Sequence, residues 1–166
     1  MIGKTELDRV LFLISWWLAA IKSHNAIGFF DINKAAEGVA LALLNEIYDF
    51  QLVNLNYEKN NYPGIDLGDK TNKIGFQITS RRDAWKIKES LEKFVLGPNE
   101  TYYNGIRFLI LTQKSKIQLN KDKYQEICPN FDPDEHILNA DDLIKKSAGH
   151  TTQIGRNSIA SKRYCK

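Results

Sequence analysis

At 166 residues, with 43% apolar and 26% charged side chains, the chain has the size and composition of one folded domain, which excludes a disordered or low-complexity polymer. Its net charge of +3 is divided unevenly: residues 1–144 carry 17 Lys/Arg against 20 Asp/Glu, and residues 145–166 carry six basic residues and no acid. A uniformly basic nucleic-acid binder is thereby excluded, and two isolated cysteines, Cys128 and Cys165, leave no cluster for structural zinc and point to a reducing cytoplasm.

Thr5-Glu6-Leu7-Asp8 reads as a helix start, a Thr cap followed by acids in the first turn. The apolar run Val10–Ile21 that follows is too short to span a bilayer as a helix, so no membrane association is expected. Glu6, Asp8 and the pair Trp16-Trp17 also fit a secretory signal poorly. The run predicts a helix to about Ser23, buried on more than one side or paired with a second copy in a homodimer. Asp31 or Asn33 then caps a helix through about Tyr48. On a 100° wheel Ala36, Val39, Ala40, Leu43, Leu44, Ile47 and Phe50 share one arc, with Glu46 at its border.

Gln51–Tyr57 alternates polar and apolar residues as a half-buried strand does. Glu58–Pro63 is a polar loop, Ile65-Asp66-Leu67 a short strand, Gly68–Asn72 a hairpin turn and Lys73–Thr79 a second strand. Ser80 or Asp83 caps a third helix whose core face holds Trp85, Ile87, Leu91, Phe94 and Val95, up to Gly97-Pro98. Ile106–Thr112 is apolar enough for a central strand buried on both faces. Gln113–Pro133 is a polar connector. His136–Leu138 predicts a last strand and Ala140–Lys146 a last helix. This gives an α/β domain over residues 1–148, an αβββαβ core with one helix in front and a strand–helix piece behind. Residues 149–166 read as a basic, flexible tail.

The stretch Asn61–Ser80 carries the chemistry. An acid at a strand end, a hairpin, and a polar residue on the next strand can hold a divalent metal. Asp66 offers a charged oxygen suited to Mg²⁺ (or Mn²⁺), Gln77 and the Ile78 carbonyl offer neutral ones, and Glu46 a further ligand. Magnesium keeps several waters, one of which can become the hydroxide that attacks a phosphodiester. Taken singly, each residue has a plainer reading. Asp66 and Asp69 suit a turn, Gln77 a backbone hydrogen bond, Glu46 a lysine-paired flank, and Arg81, Arg82, Lys86 and Lys88 a solvated helix. His24, His136 and His150 lack partners at ligand spacing.

NYPGIDLGD (61–69), IGFQITS (74–80) and KIKESLEKF (86–94), with weaker support from FDPDEHILNADDLI (131–144), are similar to the SMEK domain, and the Asp66…Gln77-Ile78-Thr79 order resembles the PD-(D/E)XK nuclease superfamily. The resemblance implies a restriction-endonuclease-like fold and a metal-dependent DNA endonuclease of a bacterial defence or restriction system, with further domains or partner proteins. Under it Asp66 is the metal aspartate, Gln77 the motif's second position and Glu46 the helix glutamate. Thr79 departs from the motif, which has lysine there. Lys86, or else Lys73, would replace that charge. Lys73, Arg81, Arg82 and Lys88 would line a basic rim for DNA. The departure leaves open a catalytically inactive module of the same fold that binds nucleic acid or mediates assembly.

Overall fold

The apolar run at 106–111 forms the middle of the domain, because its side chains alternate between two separate cores. In the computed structural model, which describes residues 4–26, 32–57, 59–111 and 117–149, Ile106, Phe108 and Ile110 point into one core and Leu109 and Leu111 into the other. That double burial is what a central strand requires. The strands are β1 (Val53–Asn54), β2 (Leu67–Asp69), β3 (Ile74–Thr79), β4 (Ile106–Ile110) and β5 (Ile137–Asn139), in spatial order 1-2-3-4-5. β1, β2 and β3 run antiparallel to one another, while β3, β4 and β5 are parallel.

Helices cover both faces. On one lie α1 (Lys4–Ala26), α2 (Ile32–Tyr48) and α6 (residues 140–149), packed on Leu67, Phe76, Ile78 and Leu109. On the other lie α3 (Ala84–Leu96) and α4 (Lys121–Gln125), where Ile87, Leu91, Phe94 and Tyr124 meet Phe108 and Phe131. The short α5 (Pro133–His136) leads into β5. The expected order, a leading helix, then αβββαβ, then a strand and a helix, is the order observed. No helix among the described residues is long and apolar enough to cross a membrane.

Several local expectations are corrected. Thr5 lies inside α1 rather than capping it, and α1 is buried along one stripe (Val10, Ile14, Trp17, Ile21) while Phe12 is 68% and Trp16 60% exposed. The alternating stretch 51–57 pairs only at Val53–Asn54 and then coils into a 3-10 turn, Leu55–Tyr57. The Asn54 side chain accepts from the Asn56 N–H at 2.9 Å, and such a local bond competes with the ladder. β2 begins at Leu67, so Asp66 stands just before it. Gly68 and Asp69 belong to β2, and the turn is 70–73, with Lys73 at φ 60°. Asp69 shapes that turn: its carboxylate accepts from the N–H groups of Gln51, Thr71 and Asn72, which hold it below the usual carboxylate range despite burial.

α3 is capped by Asp83, which accepts from the Lys86 N–H, not by Ser80. Trp85 and Val95 face outward, and Trp85 carries the Arg81 guanidinium 5.2 Å from its ring instead of filling the core. The connector holds α4, and His136 ends α5 rather than starting β5. The expected tail lies outside the described residues apart from Gly149, which is helical.

Candidate functional site

β2 and β3 pair at Asp69↔Ile74, Gly68↔Gly75 and Leu67↔Phe76, and the ladder ends at Leu67. Even-numbered residues of β3 direct their backbone groups toward β2, so Ile78 would have an orphan N–H beyond the end of that strand. Asp66 fills the gap with its side chain: Oδ2 accepts from the Ile78 N–H at 2.8 Å, while its own N–H donates to the Phe76 carbonyl at 2.7 Å. The Gln77 amide also donates to Oδ2, and to the Ile78 carbonyl at 3.3 Å. The fork between the two strands therefore fixes a carboxylate at the edge of the sheet.

A second carboxylate arrives from α2, and it is Glu37. Asn56 Nδ2 donates to Glu37 Oε2 and to Asp66 Oδ1, 3.2 Å in each case, so one amide nitrogen bridges the two acids. Asn54 donates to the same Glu37 oxygen at 3.1 Å. Burial pushes the Asp66 carboxyl up to about 6; the Ile78 and Asn56 donors and the Lys86 charge oppose the rise, and the Glu37 charge adds to it.

These residues line one groove of about 790 Å³, together with Lys34, Tyr57, Asn60, Asn61, Tyr62, Lys86 and Lys93. Lys86 and Lys93 hold Glu89 between them at 3.6 and 2.7 Å, leaving two cations and one anion on that wall. Of the residues expected from sequence, Asp66, Gln77 and Lys86 meet here, and Ile78 contributes backbone alone. Glu46 does not join them. Nine residues beyond Glu37, it stands about 13 Å further along α2 and on its opposite face, exposed. Lys73 sits at the other end of β3, about 13 Å from Gln77 along the strand. Arg81 is engaged by Asp83 and Trp85 and Lys88 by Glu92, and neither these two nor Arg82 lines the groove. Thr79 is buried and accepts from the Arg81 N–H at 3.1 Å.

Sequence reasoning missed Glu37, Asn54 and Asn56. The density of asparagine between 54 and 61 was the available signal, since neutral amides are what neighbouring acids need around them when no cation is at hand.

Among the described residues no three His, Cys, Asp or Glu side chains gather into an all-protein metal cage. Asp66, Glu37 and the Gln77 amide oxygen still suit Mg²⁺, which retains waters and takes one or two carboxylates. In the arrangement described, Asp66 meets amide nitrogens; turning the Gln77 amide by half a turn presents its oxygen instead, and the donor set then fits.

The family model described as the SMEK domain matches residues 9–148. No curated protein matches the chain, and no solved structure does.

Proposed function

The chain belongs to the SMEK domain family, and from that premise we propose that it is a metal-dependent endonuclease-like domain, akin to PD-(D/E)XK nucleases, acting on phosphodiester bonds in the groove beside Asp66. The observation that carries the reading is the pair Asp66 and Glu37, two acids on one amide nitrogen, with Lys86 on the same groove wall. A divalent cation held by Asp66, Glu37 and Gln77 supplies charge neutralisation and an acidified water for hydrolysis. Asp66, raised by burial to about 6, is ionised at neutral pH and lines the groove. The Ile78 N–H orients it. Lys86 takes the charge role that Thr79 cannot perform: the Thr79 hydroxyl is spent on the turn after β3, whereas Lys86 lies close enough to Asp66 to act on it electrostatically.

Cleavage of circular DNA with Mg²⁺ or Mn²⁺ tests this. Glu37→Gln and Lys86→Ala are each expected to lose at least about 100-fold in rate, while Glu46→Gln retains wild-type activity. Equal loss in Glu46→Gln and Glu37→Gln would place the metal elsewhere.

A second reading has its own observation. Phe12, Leu13 and Trp16 form an exposed apolar strip on α1, as an assembly module of the same fold would present. Sedimentation of the wild type and of Phe12→Ser/Trp16→Ser addresses it: a dimer lost in the double variant supports assembly, and a monomer at high concentration rejects it.

A further inference from the structure

The outer lip of the groove is chemically unlike its floor. It is formed by Tyr57, Asn60 and Asn61, all exposed, with Tyr57 at 89% of its possible surface. Neither asparagine side chain makes a hydrogen bond to another described residue, in contrast to Asn54 and Asn56 below them, which are fully engaged with Glu37 and Asp66. The chain that follows the lip is held in place at Tyr62 and Pro63. The Tyr62 N–H donates to Asn56 Oδ1 at 3.0 Å, the Tyr62 hydroxyl donates to the Pro98 carbonyl at 3.1 Å, and Asn99 donates to the Pro63 carbonyl at 3.1 Å. A support held at Tyr62 and Pro63, carrying an exposed aromatic ring and two amides with no hydrogen-bond partner among the described residues, suits a flat ligand with hydrogen-bonding edges.

Resting on the reading of this groove as a phosphodiester site, we infer that the lip takes one unstacked base, with Tyr57 as its stacking platform and Asn60 and Asn61 reading its edge, so that the substrate is single-stranded or locally unpaired. In a duplex the face of each base is covered by its neighbours and is closed to an aromatic ring. An unpaired strand offers that face, and stacking on aromatic side chains is the general means by which proteins hold such strands. Side-chain amides complement the donor and acceptor pair on a base edge. Lys34, Lys86 and Lys93, elsewhere in the same lining, suit the accompanying phosphates. The volume, about 790 Å³, lies in the range that encloses small-molecule-sized groups such as a nucleoside.

The test is fluorescence anisotropy of the full chain with a labelled 12-mer as single-stranded DNA, as the same sequence in RNA, and as a duplex, all in EDTA so that neither metal nor cleavage enters. The expected result is tighter binding of a single strand than of the duplex, an approximately tenfold loss in Tyr57→Ala, and retention in Tyr57→Trp with a change of tryptophan emission on binding. Tyr103→Ala, an exposed tyrosine outside this groove, serves as the control and is expected to match wild type. Tyr57-dependent binding of either the DNA or the RNA strand supports the inference. Preference for the duplex, or a Tyr57→Ala affinity within twofold of wild type, overturns it. The two readings fail separately: strand binding that needs Tyr57 in a chain that never cuts removes the nuclease assignment alone, and cutting with strand affinity indifferent to Tyr57 removes the base platform alone.

Discussion

Asp66→Asn is expected to abolish divalent metal binding and, at the same time, to stabilise the metal-free protein above pH 6. The Asp66 carboxyl titrates at about 6 in the folded chain against an ordinary value of 3.8, chiefly because burial disfavours its charge. A group raised in this way holds its proton more tightly when folded. Its contribution to stability is therefore complete below pH 3.8 and is lost as pH climbs through 6. The difference of roughly 2 units corresponds to up to about 3 kcal/mol at neutral pH. An asparagine carries no charge to desolvate, but its NH₂ replaces one acceptor that now serves the Ile78 N–H, Gln77 or Asn56, at a cost of about 1–2 kcal/mol. The balance is a gain of about 1–2 kcal/mol at pH 8, turning into a loss of similar size at pH 4. Urea titrations at the two pH values read the sign directly, and a variant less stable than wild type at both would show that burial does not penalise the Asp66 charge. Calorimetry with Mn²⁺ reads the other half: affinity falls at least about 100-fold in Asp66→Asn. In the wild type it falls about tenfold per pH unit below 6, because the cation needs the ionised carboxylate.

The residues that set this balance were only partly legible in the sequence. Asp66 and Gln77 could be found because the hairpin between them is short and the pattern of 65–79 is local: register follows from alternation and a turn. Ile106–Ile110 could be found because burial on both faces leaves no polar position at all except Arg107. Glu37 could not be separated from Glu46 by the same means. Both are acids flanking the apolar arc of α2, and the choice depends on which end of that helix lies over the fork between β2 and β3, a fact that arises from tertiary packing. The strand expected at 51–57 failed for a related reason. Its alternation was genuine, yet Asn54 and Asn56 spend their side chains on Glu37, Asp66 and their own backbone, and the chain coils where it would otherwise have paired. Trp85 was apolar but off the helical period of α3: at about 100° per residue it lies roughly 160° from Ile87 and 180° from Phe94, which turns it away from the core. It packs instead under Arg81. For Glu37 and for the 51–57 strand the local pattern was right and a longer-range contact decided the outcome, whereas for Trp85 the period itself pointed outward.

Gly64→Ala is expected to be the most destabilising single-methyl change in the groove, by about 3–5 kcal/mol, and to weaken the site two residues away. Gly64 holds φ 79°, where a side chain costs about 1–2 kcal/mol. A Cβ there would also lie 2.5 Å from the Phe94 nitrogen, 2.7 Å from the Phe94 Cα and 2.8 Å from the Ser90 carbonyl oxygen. All three are backbone atoms of α3, and none can rotate away as the end of a side chain would. The loop must therefore lift from the helix, which strains the bond from Asn99 to the Pro63 carbonyl and moves Asp66 off the Ile78 N–H. Mn²⁺ affinity measured at a temperature where the variant is still folded is expected to drop with it, since misplacing a ligand by about 1 Å is enough to lose binding. Gly38→Ala is the matched control. That glycine lies exposed in α2, and an added methyl group would meet nothing within 4 Å, so alanine should stabilise by about 0.5–1 kcal/mol through helix propensity alone. If Gly64→Ala behaved like Gly38→Ala, the 60–66 loop would be free of α3, and the carboxylate at the fork would owe its position to β3 alone.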